Sequence, residues 1–371
     1  MDFNRSDDRQ MLVDSLARYL KERYTIEDRH MISGSDAGWS PQKWSELADL
    51  GMVGALFPEH AGGFGGGGFD IAAVFEQLGI ALAVEPFLGT LMAGRILAER
   101  PERQDILGDV IAGTAIIAFA HEEPQSRYDL ADVAARGERT EDGWVLTGAK
   151  AVVPQLEAAH QILVSARIGG VPGGNGGIGL FLVARDAPGV SVRGYPLIDG
   201  GRGGELSLNG VPADLVAEDG FDLVENAVAA GLVALSWEAI GIMDALKTAT
   251  VGYLRTRTQF GKPLGAFQAL QHRLATLSLE IEQARSAAIN AAAALDADRF
   301  TRERAVSAAK FTIGRVGTLV AEEAIQMHGG IGMTWELPLS HYAKRLTMIG
   351  HQLGDEDHHL ARYAKLAHLS P

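Results

Sequence analysis

A mainly helical protein with a β domain at its centre is the fold class the sequence predicts, and three observations predict it. Helical periodicity occupies residues 1–112, short β-rich runs replace it over 113–218, and long amphipathic patterns return over 219–371. The last stretch is long enough for a bundle of four long helices and a tail. With 371 residues, 47% hydrophobic and 22% charged, the chain can bury a full core and divide into two or three domains.

In the first segment, Ser6-Asp7-Asp8 reads as a helix cap with acids in the first turn, and Met11, Leu12, Leu16, Tyr19 and Leu20 form one apolar stripe. Trp44, Leu47, Leu50 and Met52 continue the pattern, and Ile71, Val74, Phe75 and Leu78 resume it. Between them Gly63-Phe-Gly-Gly-Gly-Gly68 formally satisfies the dinucleotide fingerprint. No hydrophobic strand leads into it, so the tract is expected to be a loop joining helices. The central segment offers Ala115–Ala120, Trp144–Leu146, Ile162–Ala166, Ile178–Val183 and Glu205–Leu208 as strands, with the tract Gly169–Gly177 as a hairpin loop. In the third segment Val228, Leu232, Leu235, Ala239, Ile242 and Leu246 mark the buried face of a long helix, and Leu270, Leu274, Leu277 and Ile281 that of the next.

Composition excludes several function classes. A formal net charge of −14 argues against generic nucleic-acid binding, which needs a positive field to displace counterions. The absence of cysteine removes disulfides, thiolate nucleophiles and cysteine metal sites, so redox chemistry requires a bound cofactor. Met1-Asp-Phe-Asn-Arg5 lacks a positive start followed by an apolar core, and no apolar run is expected to reach transmembrane length, which together point to a cytoplasmic protein without a membrane partner.

The two long helical patterns meet at Arg257-Thr-Gln-Phe260-Gly-Lys-Pro-Leu264, followed by Phe267-Gln268. Arg257 and Phe260, three residues apart, are expected to emerge from one side of the last helical turn, where a guanidinium can clamp a phosphate and an aromatic face can stack on a purine. Spacing alone leaves open the alternative of an exposed arginine ending a helix and a core phenylalanine closing a turn. This stretch resembles the C-terminal signature of the acyl-CoA dehydrogenase family. Gln326-Met-His-Gly329-Gly330-Ile-Gly332-Met-Thr-Trp-Glu336 is similar to the family's Gln-x-x-Gly-Gly-x-Gly-x-Thr-x-Glu segment, and Pro58-Glu-His-Ala-Gly-Gly63 to its Pro-Glu-x-x-Gly-Gly segment. The resemblance implies an FAD-dependent fold of three domains: helical, β-barrel-like, and a four-helix bundle. It further implies that Arg257, Phe260, Gln268, Gln326, Gly329 and Gly330 grip the adenine and pyrophosphate end of FAD seated mainly on a neighbouring subunit. On spacing alone, Gly329-Gly330-Ile-Gly332 is equally a helix ending in a glycine cap, and Trp335-Glu336-Leu-Pro338 reads as a packing corner.

The reaction implied is α,β-dehydrogenation of an acyl-CoA thioester, in which a carboxylate removes the α-proton while the β-hydrogen leaves as hydride to the flavin. The family places that glutamate in one of two positions. The slot before the glycine in His351-Gln-Leu353-Gly354-Asp-Glu356 holds Leu353, and the slot on the helix entering the Arg257 stretch falls on Gly231. Neither is an acid, and Asp355 is left as a weak candidate for the base. The run Asp355-Glu-Asp-His-His359 is better read as a helix cap with first-turn acids than as a metal site, because adjacent histidines point about 100° apart on a helix.

The flavin-ring side also departs from the family pattern. Its Thr-Glu-Pro-x-x-Gly-Ser motif is replaced by Glu122-Glu123-Pro124-Gln-Ser126, and Lys-x-Trp-Ile-Thr-Asn by Lys150-Ala-Val152-Val-Pro154-Gln155. The chain is accordingly most similar to the small subunit of heteromeric acyl-CoA dehydrogenases of the pimeloyl-CoA or steroid side-chain type. A larger homologous partner would supply the glutamate, and an electron-transferring flavoprotein would accept the electrons. The competing expectations are a self-sufficient homotetramer using Asp355, and a flavin-free helical scaffold.

Overall fold

The computed structural model describes residues 6–368, so the reading of Met1–Arg5 lies outside the described residues. Six helices come first: α1 (Asp7–Arg23), α2 (Ile26–Ser33), α3 (Pro41–Asp49), α4 (Gly68–Ala81), α5 (Phe87–Ala98) and α6 (Gln104–Ile111). Seven strands follow: β1 (Ile117–Ala120), β2 (Arg136–Thr140), β3 (Gly143–Pro154), β4 (Gln161–Arg167), β5 (Ile178–Ala184), β6 (Val190–Pro196) and β7 (Arg202–Ala217). Then come α7 (Phe221–Thr256), the two-residue strands β8 (Thr258–Gln259) and β9 (Lys262–Pro263), and the helices α8 (Gln268–Ala294), α9 (Arg299–His328), α10 (Leu339–His351) and α11 (Glu356–Ala367). Contacts divide the chain into two compact units, one comprising the residues up to Arg29, Gly68–Ala83 and those from Leu232 on, the other His30–Gly67 and Val84–Gly231.

The first unit is a helical bundle. Ser6 caps α1 as expected, accepting the Arg9 N–H, but the buried stripe is Val13, Leu16 and Leu20, while Met11 is 62% exposed. The expected face of α7 is buried throughout, and so are most of its other positions between Ala227 and Met243. That corrects the expectation that no apolar run reaches transmembrane length. By length and composition α7 could cross a membrane, yet 94% of its most apolar window is buried inside the protein, as befits a core helix that is apolar all round. Gly79 and Gly241 let α4 cross α7 closely, because a Cβ at either would stand 2.1 Å from the carbonyl oxygen of Glu238 or Glu76. Helices α8 and α9 run antiparallel, held by the ion pairs Arg273–Glu323 and Arg315–Glu280, both at 2.6 Å. Five helices, α7 to α11, fill the stretch in which four and a tail are expected.

The second unit is built on a sheet of order β1-β4-β2-β3-β7-β5, with β6 on β7. Because β5 also pairs with β4, the strands β4, β2, β3, β7 and β5 close into a ring around Leu146, Ile162, Val164, Phe181, Val183, Leu206 and Val211. Every expected strand is present. Two strands lie outside the expected set: β2, whose Arg136-Gly-Glu-Arg-Thr140 carries almost no apolar signal, and β6. The Gly169–Gly177 tract closes the β4–β5 hairpin, its carbonyls at Gly174 and Gly176 accepting from the Arg167 guanidinium. The tract beginning at Gly63 is a loop, and a Cβ at Gly63 would stand 2.1 Å from the Phe57 carbonyl oxygen, so its glycine serves packing.

Candidate functional site

Helix α7 stops at Thr256, so Arg257 and Phe260 do not share its last turn. They sit instead on the β8–β9 hairpin, in which Thr258 pairs with Pro263 and Gln259 with Lys262, and the Leu264 N–H donates to the Arg257 carbonyl at 2.8 Å. The turn chemistry of Phe260-Gly261, with φ of +53° and +77°, overrides the helical spacing and matches a type I′ hairpin. Phe260 is 89% exposed, an aromatic side chain in a left-handed backbone conformation that burial does not explain. It stands edge-on to Phe267 at 6.1 Å, and the Lys262 ammonium lies 4.2 Å from the Phe267 ring.

Gln268 opens α8 behind Phe267, a cap residue whose side chain supplies no hydrogen bond, and with the Leu270 N–H taken by the Phe267 carbonyl the N–H groups of Gln268 and Ala269 are the ones that can face an anion. At the end of α9, Gly329 forms the expected glycine cap, with φ +67° and ψ −148°, a conformation outside the left-handed helical region that essentially only glycine adopts. Nothing lies within 4 Å of a Cβ built on Gly329 or Gly330, so both glycines border open space. Tyr253 of α7 stacks on His328 at 4.4 Å, and Arg273 grips both Glu323 oxygens through Nε and Nη2, drawing the α8 start beside the α9 end. Arg257, Phe260, Gln268, Gln326, Gly329 and Gly330 are thus exposed together at one end of the bundle. A guanidinium, a free helix N-terminus, open glycine backbone and an upright phenyl ring suit a diphosphate carrying an aromatic base. Near this end Trp335 is 62% exposed, with His341 against its ring edge at 4.5 Å and Lys344 4.8 Å from its ring centre, so the expected packing corner is largely solvated.

The β unit contains a buried polar cluster with no signal in the sequence. Lys150, wholly buried, donates to Glu123 Oε1 at 2.6 Å, to Ser165 Oγ at 3.0 Å and to the His121 carbonyl at 3.1 Å. Glu123 also accepts from Gln125 Nε2 and from the Ala134 and Ala135 N–H groups, while His121 Nδ1 meets Ser165 Oγ at 2.8 Å. Burial pushes the Glu123 carboxyl up, but the Lys150 charge and these hydrogen bonds outweigh it and hold it below the usual range. Burial, helped by the Lys150 charge, lowers His121 to about 3, so the ring is neutral. Burial lowers Lys150 itself to about 8 against the pull of Glu123. The Ala151 N–H donates to the Glu122 carbonyl, and β3 then bulges, leaving Val152 at φ +51° and 47% exposed where the family motif has its tryptophan. Arg127 and Tyr128, just past the Glu-Glu-Pro motif, hold φ of +45° and +71° without glycine.

Neither Gly231 nor Leu353, the two residues expected at the base positions, is an acid. Gly231 is buried on α7. Leu353 sits in a left-handed conformation, φ +56°, with its carbonyl facing His359 Nε2 at 3.0 Å. Asp355 is the N-cap of α11, its Oδ1 accepting the His358 N–H at 2.9 Å, with Glu356 and Asp357 in the first turn. Burial lowers His359 to about 3, with the nearby Lys310 charge adding to the effect. Among the described residues no group of three or more His, Asp or Glu side chains is arranged to hold a metal ion. Two turns beyond Gly231 on α7, Glu238 is a buried acid missed in the sequence, but Arg345 holds it through both oxygens at 2.5 and 2.7 Å.

Comparison with known proteins accounts for this combination of parts. Residues 6–99 match the acyl-CoA dehydrogenase N-terminal domain, 118–211 the middle domain and 218–366 the C-terminal domain. A probable acyl-CoA dehydrogenase YngJ of Bacillus subtilis is 28% identical over 349 residues, covering 90% of each chain. A solved variant of the Tcur3481-Tcur3483 steroid ACAD is 31% identical, covers 98% of each chain and superposes with a TM-score of 0.89. The ChsE4-ChsE5 complex from Mycobacterium tuberculosis is 26% identical over the whole of both chains, with a TM-score of 0.90. With three domains matched in order and a solved relative aligned along nearly its full length, the chain belongs to the acyl-CoA dehydrogenase family.

Proposed function

We propose that this chain is the smaller subunit of a heteromeric, FAD-dependent acyl-CoA dehydrogenase, and that a larger homologous subunit supplies the carboxylate that removes the α-proton. The observation that carries the reading is the turn at Leu353. The position at which the family bears its base holds a side chain that cannot accept a proton, and the nearest acid, Asp355, is engaged in capping α11. The relative described as the ChsE4-ChsE5 complex supports the same reading, since its two names denote two proteins acting together.

FAD is the cofactor of this family, and when bound it takes the β-hydrogen of the thioester as hydride. In this reading the exposed end of α7–α9 holds the adenine-diphosphate half of that group. Arg257 neutralises the diphosphate, the first N–H groups of α8 add donors, Gly329 and Gly330 allow backbone approach, and Phe260 offers a face to the adenine. Gln268 and Gln326 flank the same end as neutral hydrogen-bonding groups. A cofactor gripped by such an exposed end needs a second surface to close over it, which agrees with an oligomer in which this bundle packs on a related one. The boundaries 1–112, 113–218 and 219–371, a cytoplasmic location and an electron-transferring flavoprotein as acceptor complete the proposal.

Co-purification tests it. The tagged chain expressed alone is expected to be colourless or weakly yellow, and to become yellow with stoichiometric flavin when a larger homologous subunit is co-expressed. A yellow homotetramer that turns over an acyl-CoA unaided would refute the heteromer and favour Asp355 as base. A chain that binds a partner but never flavin would favour a scaffold.

A further inference from the structure

The turn from Gly350 to Asp355 is held by more buried charge than a surface turn requires. Lys310, on α9 and 1% exposed, donates to the carbonyls of Gly350 and Gly354. Arg345, on α10, is fixed by two hydrogen bonds to buried Glu238 and donates through Nη1 to Gln352 Oε1 at 2.9 Å. His359 Nε2 meets the Leu353 carbonyl, and Asp355 is bound to the His358 N–H. Every residue from Gln352 to Asp355 therefore has its carbonyl or its side chain engaged, and Gly350 as well. The turn also holds Leu353 at φ +56°, a left-handed conformation that a branched side chain keeps only where its surroundings over-determine it, followed by Gly354 at φ +113°, where glycine is at ease. A Cβ at Gly354 would stand 2.5 Å from His359 Nε2, so the histidine packs directly on the turn.

We propose that Lys310 and Arg345 are positioning residues whose hydrogen bonds lock the Gly350–Asp355 turn, so that position 353 is presented in one fixed place and Asp355 and Glu356 are kept on α11. The inference rests on the reading that position 353 is the family's base slot, and it makes the absence of a base from this chain a built feature. Donation from a buried ammonium to two carbonyls is directional, and an apolar side chain of the same length would leave both carbonyls buried without that donor. Arg345 adds specificity because its guanidinium is already oriented by Glu238 when it meets Gln352.

Hydrogen exchange of the full chain, read by mass spectrometry, tests the proposal. Lys310→Met is expected to speed exchange in peptides spanning 350–359 by about tenfold or more while peptides from the middle of α7 and from the β unit keep their rates. Lys310→Arg, which retains charged donors, is expected to restore slow exchange. Arg345→Met is expected to speed the same peptides with Lys310 intact. Unchanged exchange over 350–359 in both Met variants overturns the proposal, and so does acceleration spread evenly over the bundle or a failure of Lys310→Arg to rescue. These outcomes are separate from the heteromer question. If the clamp is real and the chain alone is nevertheless active, the base assignment fails while the clamp stands.

Discussion

Removing the Lys150 ammonium should unfold the β unit far more readily than its single ion pair suggests. Lys150→Met strips the 2.6 Å partner from Glu123 and the donor from the His121 carbonyl and Ser165 Oγ, all of them buried. Glu123 keeps Gln125 Nε2 and the Ala134 and Ala135 amides, so its charge remains solvated in part. Breaking a buried pair on one side only costs about 3–5 kcal/mol, and the three remaining donors place the expected loss near the lower end. Lys150→Met combined with Glu123→Gln removes the stranded charge, but Ala134 and Ala135 use different oxygens of Glu123 and the carboxamide keeps only one, so the double variant should recover only part of the loss, about 1 kcal/mol. Urea unfolding of the full chain, followed by circular dichroism, measures both. A single variant within about 1 kcal/mol of the parent would contradict a stranded buried charge, as would a double variant at least as damaged as the single.

Other perturbations have equally definite outcomes. His121 and His359 are each lowered to about 3 in the folded protein against 6.5 unfolded, so between those values the unfolded state binds more protons. The histidine contribution to stability should hold above pH 6.5 and fall on acidification, by about 1.4 kcal/mol per pH unit for each histidine well inside that window, and His121→Gln should lessen the slope measured by denaturant titration between pH 6.5 and 3. Arg257→Ala should weaken flavin retention by the assembled enzyme by about 1.5–3 kcal/mol, read as flavin occupancy on dilution, and unchanged occupancy would contradict its role. Phe260→Ser should leave the folding free energy within about 0.5 kcal/mol, because the ring is 89% exposed, while lowering flavin occupancy. A change in stability alone would return Phe260 to a structural role.

Legibility in the sequence follows the strength of the physical signal. The face of α7 is readable because Val228, Leu232, Leu235, Ala239, Ile242 and Leu246 keep a helical period and all end up buried. Ser6 and Asp355 are readable as caps because a short polar side chain ahead of first-turn acids has one common use. The Arg257–Phe260 spacing misleads, since an i, i+3 pair fits a helix, whereas the Gly261 turn and Pro263 end α7 earlier and make a hairpin. Strand β2 is invisible because its pairing with β3 is made by the backbone beneath charged side chains. The roles of Lys150 and Lys310 have no signal in the sequence, for lysine is rarely buried and only the fold brings their acceptors together. Glu238 escapes notice for the same reason, since its partner Arg345 lies on another helix.

The most direct test of the central claim is a turnover assay of this chain by itself. The chain is purified without a partner, supplied with FAD, and offered a panel of acyl-CoA thioesters with an artificial electron acceptor. No dehydrogenation above background is expected, since general-base catalysis contributes about 10² to 10⁴-fold and Leu353 cannot provide it. Turnover by the solitary chain that Asp355→Asn with Glu356→Gln abolishes, with the fold intact by circular dichroism, would contradict it and place the base on α11.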